Sequence, residues 1–220
     1  MKGVLLTFEG IEGCGKSTQA QLVFDYLRKR GYRVFMSREP GGTFLGKKIR
    51  ELVLNKSYEG ITDITELFLY LADRAQHVDT VVKPHIEDGA VVICDRFIDS
   101  TFVYQGYGRG IEKDFIVKAN KIATQKIMPD RTFIIDIDIY TGLKRSAHLE
   151  KEHAPKGTLD RIEAETELFH EHIREGFKSL AKKEPKRCVI LDGSLELHDI
   201  HKSIIANVNM LLKRKKIFRF

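Results

Sequence analysis

The stretch that most restricts the fold of this chain is GIEGCGKS at positions 10–17, which fits the pattern G-x-x-x-x-G-K-[ST]. It follows an apolar run, VLLTFE at 4–9, and opens an amphipathic pattern over 16–30, which is the strand-loop-helix context that the pattern requires. Backbone N–H groups in such a loop point at phosphate oxygens. We therefore predict an ATP-binding loop formed by Gly10, Ile11, Glu12, Gly13, Cys14, Gly15, Lys16, Ser17 and Thr18.

Within this loop, Lys16 is expected to reach the β- and γ-phosphates and Ser17 to offer its hydroxyl to Mg²⁺. Asp95 closes a second apolar run, AVVIC at 90–94, and a carboxylate at that position commonly holds Mg²⁺ through water. The motif predicts a nucleoside triphosphate with its metal, but it leaves the acceptor of the phosphoryl group open.

Short apolar runs alternate with amphipathic patterns along the chain. Near-continuous apolar strands are typical of a parallel sheet that is covered on both faces. The predicted strands are 4–9, 33–37, 90–94, 131–138 and 188–193, and the predicted helices are 16–30, 43–54, 62–87, 112–126, 141–149, 160–183 and 195–213. The pattern indicates an α/β, doubly wound, five-stranded parallel sheet in one domain over 1–220. The polar segment 146–158, with a proline and a glycine, is a candidate lid.

Charge and cysteine content narrow the function classes. The net charge of +6 is spread along the chain, and only the C-terminal KRKKIFRF concentrates it, so we expect no nucleic-acid partner. No stretch approaches the ~20 apolar residues of a membrane span. Three cysteines, odd in number and far apart, are typical of reduced thiols, so we expect a soluble cytoplasmic protein without a membrane partner.

Three arginines near the predicted strand ends suggest a second anionic ligand. Arg96 follows Asp95, Arg50 follows the segment REPGGT at 38–43, and Arg74 lies in a helical pattern. A guanidinium can clamp a phosphate in a bidentate manner, although Asp95 and Arg96 could instead form a salt bridge with each other. Together with Lys16 these arginines exceed the charge that one triphosphate with Mg²⁺ requires, which indicates a second phosphorylated ligand.

Tyr70 and Arg74 are four residues apart on a predicted helix and therefore share a face. An aromatic ring beside a guanidinium can stack on a flat base and hydrogen-bond its edge. An aromatic residue at helical spacing is also common in a core, so the pair by itself leaves both interpretations open.

At this point the chain resembles the thymidylate kinase family, from Val4 to about Asp192. The motifs that carry the resemblance are FEGIEGCGKSTQ, REPGGT, LADR, DRFIDSTFVYQGYGRG and LDRIE, in the family's order. The resemblance implies transfer of the γ-phosphoryl group of ATP to dTMP, giving dTDP for dTTP biosynthesis, by a homodimer. It implies a dTMP site of Glu39, Arg50, Tyr70, Arg74, Arg96, Ser100, Tyr104 and Gln105.

The resemblance also implies individual roles within that site. Tyr70 matches the stacking position that is usually phenylalanine, and Arg74 matches the thymine-reading arginine. Tyr104 would exclude a ribose 2′-hydroxyl, and Glu12 would meet the sugar 3′-hydroxyl. Glu12 and Arg96 are expected to be catalytic together with Lys16.

The family divides by the position of an extra catalytic cation. One branch has an arginine directly after the loop carboxylate, but this chain has Gly13 there and so resembles the branch in which the lid supplies the cation. Between Arg145, assigned to ATP, and Arg161 there is no arginine. We predict that Lys156 takes this role, with Lys151 as the alternative.

Two rival functions stay open at this stage. Another nucleoside monophosphate kinase would share the loop and differ in the acceptor pocket. A nucleotide-driven switch that binds DNA is a different class, disfavoured as a GTPase by the absence of an N-K-x-D motif. Zinc chemistry is disfavoured because HLEKEH and HEH lack the H-E-x-x-H spacing, and we expect these histidines on a solvated helix surface.

Overall fold

Five parallel strands form the central sheet of the computed structural model, which describes residues 3–55, 58, 60–153 and 161–218, without the side chains of 147–153. The strands are β1 (Val4–Glu9), β2 (Val34–Arg38), β3 (Val91–Asp95), β4 (Arg131–Asp136) and β5 (Cys188–Asp192). Their spatial order is β2-β3-β1-β4-β5, so β1 lies in the middle. The predicted doubly wound α/β fold is confirmed.

Strand register brings three predicted site segments to one edge of the sheet. Phe8 of β1 and Arg38 of β2 both pair with Asp95 of β3. Because all strands are parallel, the residues that follow them leave the sheet side by side, and ligands of such sheets bind at that edge. Gly10 and Glu39 therefore emerge next to Asp95.

Nine helices surround the sheet within the described residues. They are α1 (Lys16–Lys29), α2 (Phe44–Leu54), α3 (Asp63–His77), α4 (Lys83–Glu87), α5 (Ile98–Val103), α6 (Lys113–Ala123), α7 (Ile139–His153), α8 (Glu167–Lys183) and α9 (Leu197–Lys215). Helices α1 and α9 cover one face of the sheet, and α8 packs on the other face beneath β4. Alternate residues of β1 serve both layers: Leu6 faces α1 and α9, and Leu5 faces Val78 and Val82.

Some predicted elements differ from the structure. The single helix predicted over 62–87 is α3 and α4 joined by a π-helical turn, Val78–Val82. Helix α5 was not predicted, because IDST at 98–101 is too polar to show an apolar period. The helix predicted from 160 begins at Glu167, where the Thr166 side chain caps the Phe169 N–H at 3.2 Å. The first half of the candidate lid is helical to His153, and residues 154–160 lie outside the description.

Candidate active site

The loop between β1 and α1 has the backbone shape of a phosphate cradle. Gly10, Gly13 and Gly15 all have positive φ, at 137°, 66° and 93°. Such angles suit glycine and let consecutive N–H groups turn inward. The ammonium of Lys16 donates to the Ile11 carbonyl oxygen at 3.1 Å and is largely buried. The Lys16 side chain is therefore held in place by a carbonyl group of the same loop.

Not every residue of the loop can offer its side chain to a nucleotide. Ile11 and Cys14 are buried in the apolar cluster that includes Ile134 and Ile135, so only their backbone faces the cradle. Burial raises the pKa of the Cys14 thiol, which keeps it protonated. Ser17 and Thr18, in the first turn of α1, are exposed at the same edge.

Asp95 and Ser17, the two residues predicted to hold a metal, are in contact beside the loop. The Ser17 hydroxyl donates to Asp95 Oδ2 at 2.5 Å, and Asp95 is 8% exposed. The other oxygen, Oδ1, is buried and has no hydrogen-bond partner in the described part of the chain. An unpaired buried carboxylate oxygen next to a hydroxyl is an oxygen donor set of the kind that Mg²⁺ prefers.

Arg96, which follows β3, is hydrogen-bonded to Glu12, in the loop that follows β1. It has a left-handed backbone, φ 68°, and its Nη2 donates to Glu12 Oε1 at 2.7 Å. Tyr104 donates its hydroxyl to the same oxygen at 2.8 Å, and its ring lies 4.9 Å from the Arg96 guanidinium carbon. Burial would raise the pKa of Glu12, but Arg96 and Lys16 outweigh it and hold that pKa below its usual range. Glu12 is thus an ionised carboxylate between the cradle and the second pocket.

A cavity of about 270 Å³ opens between the loop and the ends of β2 and β3. Its lining includes predicted residues from both proposed ligand sites: Glu12, Gly13, Lys16, Ser17, Glu39, Arg50, Tyr70, Arg74, Asp95, Arg96, Ser100, Tyr104 and Gln105. Among these predicted residues, Glu12 and Gln105 are 93 positions apart in the chain and still share one space. The lining also includes Ser146, the first residue of the candidate lid, and Ile162 and Glu163, which follow the lid in the chain.

Arg74 is more constrained than the sequence suggests. It is 2% exposed, and its guanidinium donates to Glu39 Oε2 at 2.7 Å and to the Phe97 carbonyl oxygen at 2.9 Å. Two further bonds go to Thr101 and Asn120. Since four protein groups fix the guanidinium, Arg74 is rigid in the wall of the cavity and also supports the fold.

Glu39 lines the cavity, but its carboxylate is held by protein groups. Its second oxygen, Oε1, bonds to His77 Nδ1 at 2.8 Å, so both carboxylate oxygens have partners. Glu39, His77 and Cys94 have potential ligand atoms within 4.8 Å of one another. The guanidinium of Arg74 on Glu39 supplies the compensating positive charge there, so this trio has no need of a cation. Arg50 Nη1 donates to the Pro40 carbonyl oxygen at 3.2 Å at the same rim.

Sequence reasoning missed Glu9, which lies beneath Arg96. It is fully buried at the end of β1 and accepts hydrogen bonds from Phe97 N at 2.8 Å and from the Ser100 hydroxyl at 2.5 Å. Burial, and secondarily Asp99, raise its pKa to about 7. A charged residue inside the apolar run VLLTFE was the available signal.

The prediction of solvated histidines is wrong for His170, although His172 of the same HEH segment is exposed. His170 is 1% exposed, and its Nδ1 lies 3.8 Å from Glu12 Oε2. Neither ring nitrogen nor that carboxylate oxygen has a hydrogen-bond partner among the residues described. His170 is buried because it lies on the buried face of α8, together with Phe169 and Ile173.

Lys156 lies outside the described residues, and so does the side chain of Lys151. Arg145, assigned to ATP, lies on α7, where its Nη1 donates to the Gly193 carbonyl oxygen at 3.4 Å. Gly193 follows β5, so Arg145 is at the same sheet edge as the loop but outside the lining of the shared cavity.

Comparisons with known proteins decide which family carries this arrangement. The family model described as thymidylate kinase matches residues 8–204. This chain belongs to the thymidylate kinase family. A thymidylate kinase from Thermoanaerobacter sp. (strain X514) is 44% identical over 212 residues, covering 96% of this chain and 100% of that protein. One from Geobacter sulfurreducens is 46% identical over 192 residues, covering 87% of this chain and 90% of the relative.

A solved structure is also similar. The crystal structure of thymidylate kinase from Ehrlichia chaffeensis aligns with a TM-score of 0.74 and 33% identity, over 95% of this chain and 99% of that one. As a member of the thymidylate kinase family the chain is an enzyme, a kinase that transfers a phosphoryl group. None of its described helices has the length and apolar character needed to cross a membrane.

Proposed function

We propose that this enzyme transfers the γ-phosphoryl group of ATP to dTMP, forming dTDP for dTTP biosynthesis, in the cavity beside the P-loop. The observation that carries the proposal is that residues of both predicted sites line one cavity. Lys16 and Glu12 of the loop line the same space of about 270 Å³ as Tyr70, Arg74 and Gln105. A donor and an acceptor held in one enclosed space gain most of their rate from alignment. Membership of the thymidylate kinase family gives the acceptor as thymidylate.

The charge arrangement supports direct transfer without a general base. The attacking oxygen of a nucleoside monophosphate is already anionic, so the protein needs only to align the partners and neutralise charge. Lys16 lies in the loop and Arg96 Nη1 donates to the Gly10 carbonyl oxygen at 3.2 Å, so both supply positive charge at the loop. Lys156, as the lid cation, completes the proposal, with the lid at about 146–158 in a single kinase domain over 1–220.

Asp95 and Ser17 are the residues that would hold Mg²⁺, on the donor set described above. When bound, Mg²⁺ neutralises negative charge on the phosphates of ATP. Glu12 would accept the sugar 3′-hydroxyl, since its Oε2 has no hydrogen-bond partner among the described residues and His170 Nδ1 is 3.8 Å away. Tyr104, whose hydroxyl bonds to Glu12, would lie against the 2′ position of the sugar.

Phosphorylation assays test the function directly. With ATP and Mg²⁺, we expect dTMP to react faster than dUMP, dCMP, dGMP or thymidine at equal concentration. Arg50→Ala should raise KM for dTMP more than KM for ATP, because Arg50 lines the acceptor side of the cavity. Faster turnover of dCMP or dGMP than of dTMP would overturn the proposed substrate.

We also infer a homodimer that forms through α3 and α6. Ile64 and Phe68 share one face of α3, and Phe68 contacts Phe115 of α6 edge to face, with 6.4 Å between ring centroids. Their exposed fractions are 47%, 52% and 38%, and Ile122 of α6 is 80% exposed. An exposed apolar patch of this kind is typical of a protein interface. Analytical ultracentrifugation of Phe68→Asp should show a shift to monomer, and an unchanged dimer would place the interface elsewhere.

The location and other partners follow from simpler features. All three cysteines are free and buried, which supports a reducing compartment such as the cytoplasm. Basic residues are scattered, so we propose no nucleic-acid partner, and a DNA-binding titration at low salt would test this.

A further inference from the structure

Glu66, in the first turn of α3, is a buried carboxylate that is linked to the acceptor pocket through one residue, Gln105. Its side chain is 1% exposed, and its Oε1 accepts a hydrogen bond from Gln105 Nε2 at 2.7 Å. Gln105 in turn lines the cavity together with Tyr70 and Arg74. Glu66 itself is absent from that lining among the described residues, so it can act on a ligand only through Gln105.

Two arginines keep Glu66 ionised. Arg109 Nη2 donates to Oε2 at 3.2 Å, and Arg161, from the segment that follows the lid, donates to the same oxygen. Burial would raise the pKa of Glu66, but Arg109 outweighs it and the pKa lies below its usual range. An ionised carboxylate has no proton to donate and can only accept hydrogen bonds.

This charge state determines which way the amide of Gln105 points. Only the NH₂ end of an amide can face a carboxylate that accepts, since the carbonyl end would be repelled. With Nε2 held by Glu66, Oε1 is the atom on the other branch of the amide. Because Gln105 lines the cavity with Tyr70 and Arg74, Oε1 is the amide atom left available to a ligand there.

We propose that Glu66 is a specificity-determining positioning residue: by holding Nε2 of Gln105, it presents Oε1 to the base and selects pyrimidines that carry a hydrogen on N3. Thymine and uracil have an N3–H donor, whereas N3 of cytosine is an acceptor that would face Oε1 with no proton between them. A buried site built to receive a donor rejects an analogue that lacks it, because polar groups are then left unpaired. The inference rests on the proposed function, since it requires the base of dTMP to lie beside Gln105.

Glu66→Gln tests the inference, because a neutral amide at position 66 can donate as well as accept and so lets Gln105 turn over. We expect the ratio of kcat/KM for dTMP to kcat/KM for dCMP to fall about tenfold or more. The dTMP to dUMP ratio should stay unchanged, because these two bases share the N3–H. A purely structural defect would lower all three substrates alike.

Asp63→Asn is the matched control. Asp63 lies on the same helix and also approaches Arg109, at 3.5 Å, but it is 55% exposed and has no described bond to Gln105. It should keep both substrate ratios of the wild type. Loss of dCMP rejection in Asp63→Asn as large as in Glu66→Gln would assign the effect to charge near Arg109 and overturn the proposal.

Folding of each variant is checked by its thermal melting curve. If Glu66→Gln does not fold, Gln105→Met is the second test of the proposal, because it removes the amide and leaves Glu66 paired with both arginines. Gln105→Met should lose its rejection of dCMP in the same way. A folded Glu66→Gln or Gln105→Met with the wild-type dTMP to dCMP ratio overturns the inference. A wild-type enzyme that does not phosphorylate dTMP overturns the proposed function instead, so the two failures are distinguishable.

Discussion

Gly13→Ala should destabilise the fold by about 2–5 kcal/mol, although the change adds one methyl group. Gly13 has φ +66°, and a Cβ there would lie 1.9 Å from the carbonyl oxygen of Gly142 and 2.8 Å from its carbonyl carbon. A left-handed backbone costs a residue other than glycine about 1–2 kcal/mol. The overlap is with backbone at the start of α7, so the helix must move, which costs about 1–3 kcal/mol more. The backbone cost and the packing cost together give the expected loss of about 2–5 kcal/mol.

Urea unfolding measures this effect, and Gly110→Ala separates its two causes. Gly110 has a similar φ of +72°, but a Cβ there would meet nothing within 4 Å. Its alanine variant should lose only the conformational term, about 1–2 kcal/mol. Equal losses for the two variants would refute the role of α7. The same contact leaves no room for a larger side chain, such as arginine, at position 13 in this packing.

Three further predictions concern the pocket, the lid and a buried acid. Arg74→Ala should weaken dTMP binding while ATP binding changes little, by titration calorimetry, and should cost on the order of 3–5 kcal/mol of stability because it leaves Glu39 buried without its cation. Equal losses for both nucleotides would contradict a role at the base. Lys156→Ala should lower kcat about 100-fold at saturating substrates while Lys151→Ala changes it little; the reverse pattern would move the role to Lys151. The pKa of Glu9 is raised from 4.5 to about 7, so the folded state binds its proton more tightly than the unfolded state. The contribution of Glu9 to stability is therefore complete below about pH 4.5 and is lost as pH rises from there through 7. Urea unfolding at pH 5 and pH 8 should show a fall on the order of 3 kcal/mol that Glu9→Gln lacks, and parallel behaviour of the two proteins would refute the assignment.

Local features of the sequence were sufficient to predict the phosphate loop and the fold class. The loop needs only three glycines, a lysine and a serine at fixed spacing between a strand and a helix, and all of these are neighbours in the chain. The five apolar runs likewise predicted five strands, since burial on both faces leaves a continuous apolar pattern. That burial holds for β1, β3 and most of β4, whereas the edge strands β2 and β5 are only partly buried. Element ends were less accurate, because a cap such as Thr166 depends on one side chain.

Tertiary structure decided which polar side chains face each other. Glu66 reaches Gln105 from 39 positions away, Glu9 reaches Ser100 from 91, and His170 comes within 3.8 Å of Glu12 from the far side of the lid. No periodic pattern marks such a residue, because a buried acid or histidine on an amphipathic helix looks the same as a solvated one until its partner is known. The sequence by itself therefore determined the sheet and the cradle for ATP, whose contacts are local. The orientation and charge of the groups in the acceptor pocket depend on long-range hydrogen bonds, and only the folded chain brings those partners together.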